Sequence, residues 1–134
     1  MGLVKYLIAI LLLIPSLAFA DIRNAASCKV SDVTTAISAS ANGDTVTIPT
    51  CEGTDGTWTS GITLSADKLI TLQGAGATNT VISHGAITAI SITGAHRITG
   101  IGFNLTVSGG YDVYARGKGW RIDHCSFTNL VGTS

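Results

Sequence analysis

Arg97-Ile98-Thr99-Gly100-Ile101-Gly102-Phe103 returns as Arg121-Ile122-Asp123-His124-Cys125-Ser126-Phe127, every position shifted by 24 residues. Arg, Ile and Phe recur unchanged, and Cys125 takes the apolar place of Ile101. A period in the twenties is that of a solenoid in which one repeat makes one coil. Leucine-rich repeats share the period, but the regularly placed Leu and Asn they require are missing here. Strand alternation then predicts which side chains stack. Ile98, Ile101 and Phe103 point inward in one coil and Ile122, Cys125 and Phe127 in the next, giving an aliphatic and an aromatic column. Gly100 and His124 fall at the bend between two short strands, where the alternation resets. Thr99 and Asp123 face outward.

Outward from this pair of repeats, the chain reads as further short strands: Val46–Ile48, Leu69–Leu72, Thr80–Ile82, Ala89–Ile92 and Asp112–Tyr114, within a series that ends at Trp120–Phe127. Most alternate apolar with polar residues, and Gly, Asn or Ser usually separates them. One segment reads as a helix. Ser31-Asp32 offers an N-cap, Val33, Ala36 and Ile37 share a face, and Asn42-Gly43 ends it. Composition agrees with a β fold. Charged residues make up 12% of the chain, about half the usual share. The 18 Thr and 16 Gly fill the gap, favouring strands and tight turns. No linker or low-complexity tract divides the chain, so residues 21–134 form one domain.

Residues 1–20 read as a secretory signal peptide. Lys5 supplies the positive charge, Tyr6–Ile14 the apolar run and Pro15 the break, and Ala18-Phe19-Ala20 suits a signal peptidase. The run is too short to span a bilayer, which takes about 20 apolar residues. The mature chain is therefore expected to begin at Asp21, outside the cytoplasm, with no membrane attachment after cleavage. It carries 7 basic and 8 acidic residues, a balance that draws it neither to nucleic acid nor to an anionic membrane.

Asp32-Val33 through Ala36-Ile37, followed by Gly43-Asp44-Thr45-Val46-Thr47-Ile48-Pro49, resembles the capping helix and first strand of pectin-lyase-like proteins. Leu72-Gln73-Gly74-Ala75-Gly76 with Thr80-Val81-Ile82 resembles their second coil, and Ile122-Asp123-His124-Cys125 is similar to the Trp-Ile-Asp-His stretch of pectate lyases. The resemblance covers nearly all of residues 26–127. It implies a right-handed parallel β-helix with a short N-terminal capping helix. Coils of this size leave some three to four after the cap, so the domain is expected to be truncated, incomplete at its C-terminus, with later coils beyond Ser134. Export permits a disulfide. Cys28 and Cys51, both in the segment that would close the end of the fold, are the preferred pair, with three free thiols as the alternative.

Lyases, hydrolases, phage tailspikes and adhesins share that architecture, so fold alone does not choose an activity. Asp112 is the candidate metal residue, because pectate lyases hold calcium with acidic side chains shortly before the Ile-Asp-His stretch. A solvated turn is the plainer reading, since calcium takes six to eight oxygens. The segment itself requires no cofactor; calcium is implied only by the pectate-lyase resemblance. Asp123 and His124 suggest an acid/base pair, but neighbouring strand residues point apart, and Arg121 stands where the family has Trp. Arg116, Lys118 and Arg121 around Trp120 form the candidate substrate site, able to hold an acidic sugar by charge and stacking. Trp58 could stack on a sugar or cover the cap. His84 and His96 receive no role, and Cys125 reads as an apolar filler. Asn104-Leu105-Thr106 has the form of a glycosylation acceptor. The leading expectation is a secreted lyase or hydrolase of acidic polysaccharide, its active site beyond this chain. The rival is a non-catalytic adhesin, tailspike-like or structural surface protein.

Overall fold

The computed structural model describes residues 19–129. Most of the expected signal peptide thus lies outside the described residues. Twelve short strands and one helix make up the ordered elements: β1 (Ile22–Asn24), α1 (Val30–Ala39), β2 (Thr45–Ile48), β3 (Thr57–Trp58), β4 (Ile62–Leu64), β5 (Thr71–Gly74), β6 (Val81–His84), β7 (Thr88–Thr93), β8 (Arg97–Thr99), β9 (Gly102–Leu105), β10 (Tyr111–Arg116), β11 (Arg121–Asp123) and β12 (Ser126–Thr128). They form three sheets, ordered β1-β2-β5-β8-β11, β3-β6-β9-β12 and β4-β7-β10. Every pairing is parallel. From β2 onward each coil gives one strand to each sheet in turn. The fold is a parallel β-solenoid.

The 24-residue repeat is one rung of this stack: Arg121, Ile122 and Asp123 pair with Arg97, Ile98 and Thr99. The two coils before it are longer. Along the first sheet, Ile22, Thr45, Thr71, Arg97 and Arg121 follow one another in register, at steps of 23, 26, 26 and 24 residues. The connection from first to second sheet accounts for much of the variation. It takes residues 49–56 and 75–80 in the first two coils but only 100–101 and 124–125 in the last two.

The inward columns follow the register. Val46, Leu72 and Ile98 stack and are fully buried, with half-buried Ile122 below them. Ile82, Phe103 and Phe127 form the aromatic-ended column, where the two phenyl rings stack at 5.3 Å. Ile62, Ile90 and Val113 line the third sheet. Gly100 and His124 occupy the expected bend, at φ +67° and +52°. At Gly100 glycine is required twice over, because a Cβ would also stand 2.9 Å from the Gly74 carbonyl oxygen.

Several expectations are corrected. Helix α1 begins at Val30 with Lys29 as its N-cap residue, so Ser31 and Asp32 lie inside the first turn rather than capping it. Asp32 instead accepts the Ser27 hydroxyl at 2.6 Å. The helix still buries Val33 and Ala36 against the first coil, as expected. Leu69 and Ile70 precede β5 rather than opening it, and β1, β3 and β4 are strands that the sequence reading passed over. Trp58 is not a sugar platform: it is 1% exposed, and its indole N–H donates to the Cys28 carbonyl at 2.9 Å, just before the capping helix α1. Cys28 is bonded to Cys51, and Cys125 is free.

Candidate functional site

Strand β10 turns Tyr111, Tyr114 and Arg116 to solvent, while Val113 and Ala115 between them pack on the core. The two tyrosine rings lie 5.9 Å apart. The Arg116 guanidinium sits 5.0 Å from the Tyr114 ring centroid and donates through Nε and Nη2 to its hydroxyl at 2.9 and 2.8 Å. Beyond it the chain turns through Gly117 and Gly119, at φ +84° and +81°, and delivers Trp120 to the surface. The turn is held to the coil above by the Gly94 N–H on the Arg116 carbonyl and the Arg121 N–H on the His96 carbonyl. Tyr111, Tyr114 and Trp120 remain 60%, 38% and 44% exposed. Tyr111 and Tyr114 stand on the third sheet, and Trp120 on the turn that leads from it to the first.

Two of the three basic residues expected to cluster about Trp120 have separate partners. Arg116 belongs to Tyr114. Arg121 binds Asp123 through Nε. Lys118 is exposed at the turn. Tyr111 and Tyr114 were missed as site residues, although a strand centred on an inward Val113 would itself send Tyr114 outward.

Asp123 is a hub. One carboxylate accepts two parallel bonds from Arg97, both 3.0 Å, the Thr99 hydroxyl, and His124 Nδ1 at 2.9 Å, besides Arg121. The Arg97 bonds first, then those from His124 and Thr99, hold its carboxyl far below the ordinary range, against a smaller opposing effect of burial. The expectation that Asp123 and His124 point apart fails because His124 adopts a left-handed conformation, which breaks strand alternation. Thr99, expected outside, is likewise tucked under this network and 8% exposed.

Asp112 is not a solvated turn residue. It is buried, and its Oδ1 meets His84 Nε2 at 2.8 Å. His84 occupies the inward column between Trp58 and Leu105, so both its ring nitrogens must be satisfied internally. Its Nδ1 faces the Gly85 carbonyl at 3.1 Å. Asp112 therefore offers its oxygen to a buried imidazole, an arrangement that does not fit a cation needing six to eight oxygens. His96 is also structural: Nδ1 accepts the Ile70 N–H and Nε2 donates to the Ser65 carbonyl. Among the described residues no three His, Cys, Asp or Glu side chains are grouped to hold a metal ion. Cys125 packs against the core, half-buried, and burial pushes its thiol up.

A groove of about 340 Å³ lies on the first coils, lined by Asn24, Thr47, Pro49, Gln73 and Ala75 among others. It contains none of the expected site residues. Among the described residues no helix is long and apolar enough to cross a membrane. Compared with known proteins, the chain matches no protein-family model, no curated protein and no solved structure.

Proposed function

We infer that this protein is exported and binds polysaccharide on the outer surface of its later coils. The observation that carries this reading is the exposed ring series Tyr111, Tyr114 and Trp120, with Arg116 seated on Tyr114. Flat aromatic faces offer large apolar contact with few rotatable bonds and a polar edge, which suits the alternating C–H and hydroxyl faces of sugars. A guanidinium beside them supplies fixed donors for hydroxyl or carboxylate oxygens. Export is supported by the Cys28–Cys51 disulfide, which an oxidising compartment permits.

Charge favours acidic glycans. Residues 21–68 hold six carboxylates against three basic side chains, while residues 69–134 hold Arg97, Arg116, Lys118 and Arg121 against Asp112 and Asp123. In a solenoid, position along the chain is position along the axis, so the ring series stands at the positive end. Binding is favoured over cleavage for this segment because both carboxylates there are engaged: Asp112 with His84, Asp123 with two arginines. A lyase or hydrolase would need a free acid or base facing the ligand.

Trp120 makes the test direct, since the other indole, Trp58, is buried. Titrating the protein with polygalacturonate, alginate and a neutral glucan should change Trp120 emission with the acidic polymers at lower concentration than with the glucan. Tyr114→Ala should weaken binding about tenfold, which corresponds to about 1.4 kcal/mol. If none of these polymers alters emission or retards the protein in affinity electrophoresis, the reading fails.

A further inference from the structure

The start of β1 carries an observation that the surface chemistry does not use. The backbone nitrogen of Asp21 lies 2.9 Å from Oδ1 of Asp44, and the Asp44 side chain is only 2% exposed. The other oxygen, Oδ2, accepts the Ala41 N–H at 2.8 Å and Arg23 Nε at 3.4 Å. Among the described residues, Asp21 nitrogen is the partner that Oδ1 has. Arg23 is shared, because its Nη2 also reaches the Asp21 carboxylate at 3.1 Å. Two carboxylates thus meet one guanidinium, and one of them is buried. A buried carboxylate is costly unless it is fully paired.

Asp21 is also the residue with which the mature chain is expected to begin. We propose that removal of the signal peptide completes this site: the α-ammonium freed at Asp21 pairs with the buried Asp44 carboxylate and locks β1 onto the solenoid. A signal-processing protease hydrolyses the Ala20–Asp21 peptide bond. The C–N bond breaks, water supplies the hydroxyl to the Ala20 carbonyl carbon and a proton to the Asp21 nitrogen, and the amine takes a further proton from solvent at neutral pH. The network then holds two positive and two negative charges. Phe19 is 83% exposed and Ala20 is exposed too, so the bond is within reach and its loss removes little packing. The nitrogen is already in place, because the Thr45 N–H holds the Asp21 carbonyl at 2.8 Å and Ile22 pairs with Thr45. Independently of cleavage, the N–H groups of Ala41 and Asp21 keep the Asp44 carboxyl below its ordinary value, ready to accept a cation.

The proposal rests on cleavage after Ala20 and not on glycan binding, so each can fail alone. N-terminal sequencing of the exported protein should begin at Asp21; a different first residue overturns it. For the ion pair itself, three forms are compared: residues 21–134 with a free amine, the same chain N-acetylated, and a chain that retains Ala20. The free-amine form should melt about 5 °C higher than the other two near pH 6.5. Because Asp44 stabilises the charged amine, that gain is fully present below the ordinary α-amine value of about 8 and is lost progressively as pH rises from there through the raised value of the folded chain. Asp44→Asn should abolish the difference between free and acetylated chains. Should Asp44→Asn not fold, the pH dependence of the free-minus-acetylated gap in the native sequence decides. Equal melting of the three forms at pH 6.5, or a gap unchanged between pH 6 and 9, overturns the ion pair.

Discussion

At Asp123 a single side chain shows how a solenoid rung is fastened on its outside. Its carboxylate joins Arg97 and Thr99 from the coil above to Arg121 and His124 of its own. Because the folded carboxyl is held far below its unfolded value, the stability it contributes is present above about pH 4. That contribution is lost as pH falls through the lower, folded value. Asp123→Asn should therefore lower the melting temperature at neutral pH, and the gap between variant and native protein should narrow as the buffer is taken below pH 4. A gap that stays constant down to pH 2 would mean that the arginines find other partners. The bends tell a similar local story. Gly100 adopts its left-handed conformation without penalty, whereas His124 adopts the same conformation at a steric cost, partly offset by its bond to Asp123.

Helix α1 is short, and what holds it is the surrounding element rather than its own propensity. Its N-cap residue Lys29 makes no side-chain capping bond. The Cys28–Cys51 disulfide, one residue before that cap, ties it to the connection that follows β2. Trp58 adds a buried bond to the Cys28 carbonyl, and Lys68 donates to the carbonyls of Ile37 and Ser38 at the other end. The disulfide spans a separation of 23 residues, a loop whose closure is worth about 3 kcal/mol. Replacing both cysteines with serine should lower stability on that scale, as measured by denaturant unfolding. Non-reducing peptide mapping should find these two joined and Cys125 free. A mapped bridge to Cys125 would contradict both the pairing and its inward position.

Across the whole molecule, stability is distributed by stacking, since each coil contacts chiefly its neighbours. Ile90 is the clearest case: it is fully buried and in register with Ile62 on one side and Val113 on the other. Ile122 has the same kind of inward position but is only half-buried. Ile90→Ala should cost about 2–5 kcal/mol, and Ile122→Ala about 1 kcal/mol. Chemical unfolding of the two variants measures the difference; equal losses would show that the column is not the unit of stability.

The repeat was legible where it was shortest. Between residues 97 and 127 the first-to-second-sheet connection is two residues in each coil, so equivalent positions align by eye. In earlier coils the same connection takes eight and six residues, and strands as brief as Thr57–Trp58 leave no alternation to read. Period and pleat alone were enough to place the solenoid, its inward columns and the bend at Gly100 and His124. The surroundings of Asp112, His84, Trp58 and Asp123 emerge only once the coils are stacked. Each depends on a partner 24 to 30 residues away, brought near by the stacking of coils of unequal length. An inward polar side chain is stable only when such a partner arrives, and no local pattern announces it.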